Sequence, residues 1–299
     1  MPSTFLARLD PRLLPVAAAI LAPMTWSIGG VVMRSVETAG AWEQASWRAL
    51  GGALALALLL APRGGGRVAA DIRAAGWAGL ASMACVGGSF VVHVLAMNAT
   101  SVANVLFLQT ASPLLMPLLA WLVLRERPQM LTVAAAAIAI AGLAPIVAAS
   151  AGQGRIAGDL LALLSAACGA INVLIVRRMR GIDLIPTTTA AALLAAIVAA
   201  SFGSALGVSA GDAVALMALG ALQIAVGLKL FFFALRHLPA APVALLTLLE
   251  PVAGPLLVWA IVGEVPPDAT LLGGAIVGAA MLLSITAAGR SARRGVAAS

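Results

Sequence analysis

Three formal charges stand inside otherwise apolar stretches of this 299-residue chain: Arg48, Lys229 and Glu250. A charge at the centre of a bilayer costs roughly 2.5–3.5 kcal/mol on insertion scales, so each needs a partner or a watery cavity. Lys229 is the only lysine in the chain; the other basic residues are all arginine. It precedes the turn near Leu238 by about nine residues, roughly 14 Å of helix, whereas its side chain reaches only ~6 Å. Glu250 follows the same turn at a similar depth, so the spacing fits an ion pair between Lys229 and Glu250. Two readings stand: a static pair joining adjacent helices, or groups that meet a substrate or a proton. Glu250 directly precedes Pro251, whose missing N–H leaves carbonyls without helical partners beside a cavity, which favours the second reading.

Other polar residues in apolar runs are His93, Asn98, Asn104 and Gln109. His93 reads more readily as a hydrogen-bonded packing residue than as a proton relay. Arg48 lies about one turn inside the end of its span and reads as a snorkelling anchor. Trp26, in the middle of the first apolar run beside Gly29 and Gly30, reads more readily as lipid-facing or packed than as ligand-facing, and is the best aromatic candidate for a pocket wall. Trp42, Trp47, Trp77, Trp121 and Trp259 fall near span ends, where indoles favour the headgroup level. Cys85 and Cys168 sit in apolar runs and read as packing residues. No metal site and no cofactor is indicated, and the enzyme reading lacks HExxH or an intramembrane aspartate pair.

These residues require membrane-spanning helices to position them. Hydrophobic residues make up 62% of the chain and charged ones 10%, against roughly 25% charged in soluble domains. The expectation is an all-α polytopic membrane protein, with the bilayer and a small molecule, not nucleic acid, as its partners. A span needs about 20 mostly apolar residues, which places ten at 13–34, 43–61, 74–97, 101–124, 130–149, 158–178, 185–206, 212–235, 240–262 and 268–288. The first run is too long for a signal-peptide core, and 62–73 reads as a loop. Fourteen arginines lie at the amino terminus, in the loops after even-numbered spans and in the tail, against Arg34 and Arg155 in the opposite loops. The positive-inside rule then puts both termini in the cytoplasm and residues 150–157 outside.

The chain also repeats itself. Pro113 to Pro128 and Pro251 to Pro266 share seven of sixteen positions at a fixed offset of 138 residues: Pro113, Pro117, Leu118, Leu119, Trp121, Glu126 and Pro128 match Pro251, Pro255, Leu256, Leu257, Trp259, Glu264 and Pro266. Five spans in each half make the second copy inverted, a 5+5 arrangement with domains at 1–150 and 151–299. Pro113 and Pro117, like Pro251 and Pro255, bend their helices at equivalent places and are candidates for gating. Small-residue stripes at Gly203/Gly207 and Gly274/Gly278 allow close helix contact. Packing within the protomer is the expected use, a homodimer the alternative.

The doubled block, Glu250-Pro251 and Trp47-Arg48-Ala-Leu together resemble the ten-helix EamA-type branch of the drug/metabolite transporter superfamily over essentially the whole chain. Within it, length and pattern look most like the YddG-type exporters of aromatic and other amino acids. The resemblance implies a bacterial inner-membrane exporter working by alternating access, with a cavity wall of Trp26, His93, Gln109, Lys229 and Glu250. Cationic drugs or organic phosphates are the alternative cargo. Span 1 lacks the glutamate used by the four-helix drug antiporters, and the core offers few cations for phosphates.

Overall fold

Lipid supplies no hydrogen-bond partners, so apolar segments of this length are stable only as helices that satisfy their own backbone. A computed structural model describes residues 13–125, 130–178, 183–204, 207–238 and 240–297. Span 1 is α1 (Leu13–Ser27) with α2 (Gly29–Ser35), span 2 is α3 (Ala41–Leu60), and span 3 lies in α4 (Gly65–Ala99). Span 4 is α5 (Val102–Gln109) with α6 (Ala111–Leu124), and span 5 is α7 (Met130–Gly152). Spans 6 and 7 are α8 (Ile156–Arg178) and α9 (Ile185–Ala200). Span 8 is α10 (Ala210–Gly220) and α11 (Leu228–His237), joined by a π-helical segment, Ala221–Gly227. Span 9 is α12 (Ala240–Thr247) with α13 (Leu249–Val262), and span 10 lies in α14 (Asp268–Ala297).

Among the described residues, seven helices meet the length and apolarity needed to cross a membrane; spans 7 and 10 contain shorter apolar stretches, and span 4 is broken at Thr110. The stretch 62–73, expected as a loop, is instead mostly helical: a 3-10 turn (Ala61–Arg63) leads into α4, and Gly76, at φ 51°, redirects the chain into span 3. Large apolar side chains such as Trp77 and Leu122 point outward, as lipid-facing residues do.

Successive turns alternate between two faces. Arg34, Thr100, Arg155 and Glu264 meet at one face, where Ser204 N also donates to Glu43 (2.6 Å) and Thr38 N to Asp212 (2.9 Å). Arg63 pairs with Asp183 at the other. Span 1 ends on the Arg155 face, and span 6 begins there, so the second five-helix half is inverted relative to the first. The 138-residue offset holds in the backbone as well. The bounds of α5 and α6 map onto those of α12 and α13 without a slip. Thr110 (φ −65°, ψ −10°) and Leu248 (φ −66°, ψ −11°) interrupt the two helices identically. At each break the N–H turns to the carbonyl three residues back, at 3.1 Å. The breaks lie three residues before Pro113 and Pro251, where the ring excludes the carbonyl of the preceding turn. Arg125 (φ 55°) and Gly263 (φ 80°), again equivalent, end the two helices in left-handed conformation. Glu126 and Pro128 lie outside the described residues, as do Arg8, Arg12, Arg127 and Arg180.

On the Arg155 face the halves are in close contact. A Cβ on Gly30 would stand 2.6 Å from Val102 and 2.8 Å from Val258, and one on Gly254 would stand 2.3 Å from Leu106. Spans 1, 4 and 9 therefore seal that side through α2, α5 and α13. Towards the other face, α6 packs on α7 and α8, while α12 packs on α1, α11 and α14. The small-residue stripes serve the protomer in part: Gly274 lies under Phe107 and Gly203 against Glu43 and Trp42, while Gly207 and Gly278 have open space beside them.

The closest helix crossing generates a test. A Cβ at Gly220 would fall 1.8 Å from the Arg48 carbonyl oxygen, and one at Gly51 would fall 2.1 Å from that of Met217. Gly220→Ala forces spans 2 and 8 apart and lowers stability by about 1–3 kcal/mol. Gly278→Ala, with nothing within 4 Å, does not lower it and adds up to about 1 kcal/mol, since alanine favours the helix over glycine. Unfolding in detergent checks the contrast, and equal stability of the two variants would remove the claim that this crossing limits the packing.

Candidate functional site

Span 8 departs from α-helical geometry where it meets spans 1 and 2. The π segment widens one turn and frees backbone carbonyls from the usual ladder. The Trp26 indole Nε1 donates to the Gln223 carbonyl at 3.0 Å, and Gln223 Nε2 donates back to the Trp26 carbonyl at 2.8 Å. Gln223 Oε1 accepts from Arg48 Nε at 2.9 Å. One amide thus joins three spans. Glycine makes room for it: a Cβ on Gly29 would sit 2.4 Å from Gln223 Nε2, and one on Gly227 would sit 2.5 Å from Trp26 Nε1. The Trp26 ring in turn lies 5.7 Å from that of Phe231.

Arg48 does not snorkel. Its side chain is buried, at 7% exposure, with the guanidinium carbon 6.0 Å from the Phe90 ring centre. The anchor expected near a span end is therefore a buried cation between the halves.

A polar line on spans 3, 4 and 6 faces this region. Gln109 Nε2 lies 2.7 Å from His93 Nδ1 and donates to Ser165 Oγ at 3.1 Å. Ser165 Oγ lies 2.9 Å from Ser89 Oγ. One turn or two further along, Ser82 donates to Asn172 at 2.7 Å. His93 and Gln109 are thus brought together, as a hydrogen-bonded pair. Nearer the Arg155 face, Asn104 donates to Ser150 (2.8 Å) and Asp159 (3.2 Å), Thr270 donates to Asn104, and Thr100 donates to Asp159 (2.8 Å). That cluster is buried and fastens the first half to spans 6 and 10.

Glu250 is half-buried at the start of α13, two residues beyond the Leu248 break. Lys229 is exposed on α11, on the side of the helix that also carries exposed Phe232, Phe233 and Arg236. No described acid lies within 4.0 Å of it, so the ion pair between Lys229 and Glu250 is not formed. Pro251 and Pro255 are buried within α13, and Pro113 is exposed on α6, which also contains Pro117. Sequence reasoning missed Gln223. Its signal was present, as an amide in the middle of span 8, six residues before Lys229 and equivalent to Cys85 at the 138 offset.

Replacing Gln223 by Leu leaves the buried Arg48 Nε without its acceptor and costs about 2–3 kcal/mol, the range for hydrogen bonds to charged groups. Removing both partners in Arg48→Leu/Gln223→Leu recovers most of that loss, because no buried charge is then stranded. Unfolding of the purified variants in detergent measures both. A double variant as unstable as the single one would contradict the coupling.

The whole-chain comparisons agree with this architecture. A solved crystal structure with 18% sequence identity superposes with a TM-score of 0.60, covering 91% of this chain and 97% of the other. At that identity it speaks to the fold. No curated protein matches significantly. The model of the EamA-like transporter family matches twice, over residues 13–148 and 156–286. The chain belongs to the EamA-like transporter family, a family of multi-pass membrane transporters of the drug/metabolite transporter superfamily.

Proposed function

We propose that this transporter exports small amino acids, aromatic and other neutral ones, by alternating access, in the manner of the YddG-type exporters. The observation that carries the reading is a buried cation, Arg48, held by Gln223 between the two halves, with a carboxyl group, Glu250, half-buried just beyond the Leu248 break. A zwitterion presents the complementary pair. Glu250 takes the ammonium group, and the field of Arg48 draws the carboxylate, with Lys229 as a second cation on the neighbouring span. His93 and Gln109 supply hydrogen-bonding wall, and Trp26, with Phe231 beside it, the apolar surface for the side chain. The two repeats, 1–150 and 151–299, move against each other about Thr110 and Leu248, beside Pro113, Pro117, Pro251 and Pro255. The resemblance to the YddG-type exporters suggests a bacterial inner membrane, and the arginine bias supports cytoplasmic termini, so the Arg155 face is the outer one and is closed in this conformation.

A competition panel in proteoliposomes tests the cargo. Unlabelled neutral amino acids should displace uptake of one labelled amino acid, whereas cationic dyes and organic phosphates should not. Glu250→Gln removes the charge that meets the ammonium and raises the half-saturating concentration about tenfold or more, the scale of one charge-assisted hydrogen bond. Displacement by dyes or phosphates alone would replace this reading with the corresponding cargo.

A further inference from the structure

The Arg155 face carries a recess of about 300 Å³ lined by Arg34, Asn98, Ala99, Thr100, Ser101, Arg155 and Glu264. That volume is at the small end of ligand pockets, roughly 300–1,000 Å³. The recess gathers Arg34 and Arg155, the arginines of the arginine-poor loops, against one carboxylate. Both oxygens of Glu264 are committed: Oε2 accepts from Arg34 Nε at 2.7 Å and Oε1 from the Val102 N–H at 2.8 Å. Arg34 Nη2 donates to the Thr100 carbonyl at 2.8 Å. These bonds tie the ends of spans 1, 4 and 9 across the sealed face.

What remains free on the arginines is hydrogen-bond donating, with the Asn98 amide oxygen beside them as an acceptor, its N–H groups being held by Gln44 and Val94. No described residue accepts from the Arg155 guanidinium or from Arg34 Nη1. Ser101 Oγ accepts from the Asn104 N–H at 3.1 Å, which leaves its own proton to donate. Among the lining residues two guanidinium groups face one carboxylate; Asp159, buried behind Thr100, balances the second charge, so the recess would hold an anion through its free donors and not through net charge. A planar fork of donors suits a carboxylate in particular.

We propose that this recess is a binding site for a small carboxylate, held chiefly by Arg155, with Arg34 Nη1 and the Ser101 hydroxyl as further donors. In the export cycle it receives the carboxylate of the departing substrate once the central charges release it. This role rests on the amino-acid reading above; the binding site itself does not. The phosphate of an anionic lipid shares the monoanion chemistry, so the test separates the two sources.

Ala99 is exposed at the rim, and A99C in a Cys85→Ala/Cys168→Ala background gives a reporter for an impermeant maleimide. In phosphatidylcholine vesicles, acetate and L-alanine should slow labelling about tenfold, and methylamine should not. Arg155→Gln should abolish the protection and Arg155→Lys should retain part of it. Arg155 contributes only backbone bonds to the fold (its N–H to Ser150, its carbonyl to Gly158 and Asp159), so these variants keep the structure. Protection by methylamine, protection that survives Arg155→Gln, or protection by added phosphatidylglycerol but not by acetate would each overturn the proposal. Acetate protection in a protein that carries no amino acid would uphold the recess while refuting the proposed cargo. Amino-acid transport without protection would do the reverse.

Discussion

A guanidinium buried among helices in lipid cannot be left without partners, and much of the central geometry follows from satisfying Arg48. Stranding a buried charge costs several kcal/mol. Gln223 supplies an acceptor for Arg48 and at the same time binds the Trp26 backbone. For its amide to reach both spans, span 8 opens into a π turn, and the carbonyl that faces Trp26 is capped by the indole. Glycines at 29 and 227 admit the crowded pair.

Around that charge the scaffold is symmetric, while the chemistry is not. Thr110 and Leu248 break their helices with the same torsions, and equivalent positions at 125 and 263 end them. Yet Glu250 answers to Ser112 and Lys229 to Val91 in the first half. Inverted halves built on one plan can exchange conformations, which gives a transporter two states of similar energy. The charges thus do not follow the repeat, whereas the helix breaks do.

The hydropathy pattern and the doubled proline block made the spans, the inversion and the helix breaks legible, because each depends on length and residue type along one segment. Rotation about the helix axis was not legible. The depth of Lys229 follows from counting residues, but a π segment just before it adds backbone to the turn and rotates everything beyond it relative to a 3.6-residue period. Lys229 therefore emerges exposed, and the expected pair with Glu250 does not form. Arg48 failed for a different reason: nearness to a span end favours snorkelling, but the amide of Gln223, 175 residues away in sequence, offers a closer partner. The pairing of His93 with Gln109 needed only that spans 3 and 4 form a hairpin, although the part played by Ser165 again lay across the repeat boundary.

The central claim is that the halves hinge at equivalent breaks and that the Arg155 face is the closed side of a cycle. Spin labels at Ala99 and Val265, both exposed on that face, report the separation of the span 3–4 and span 9–10 turns by pulsed electron spin resonance. The account predicts a short distance in the resting protein and a second, longer population once a transported amino acid saturates it. A single unchanged distance in protein shown to transport would contradict it.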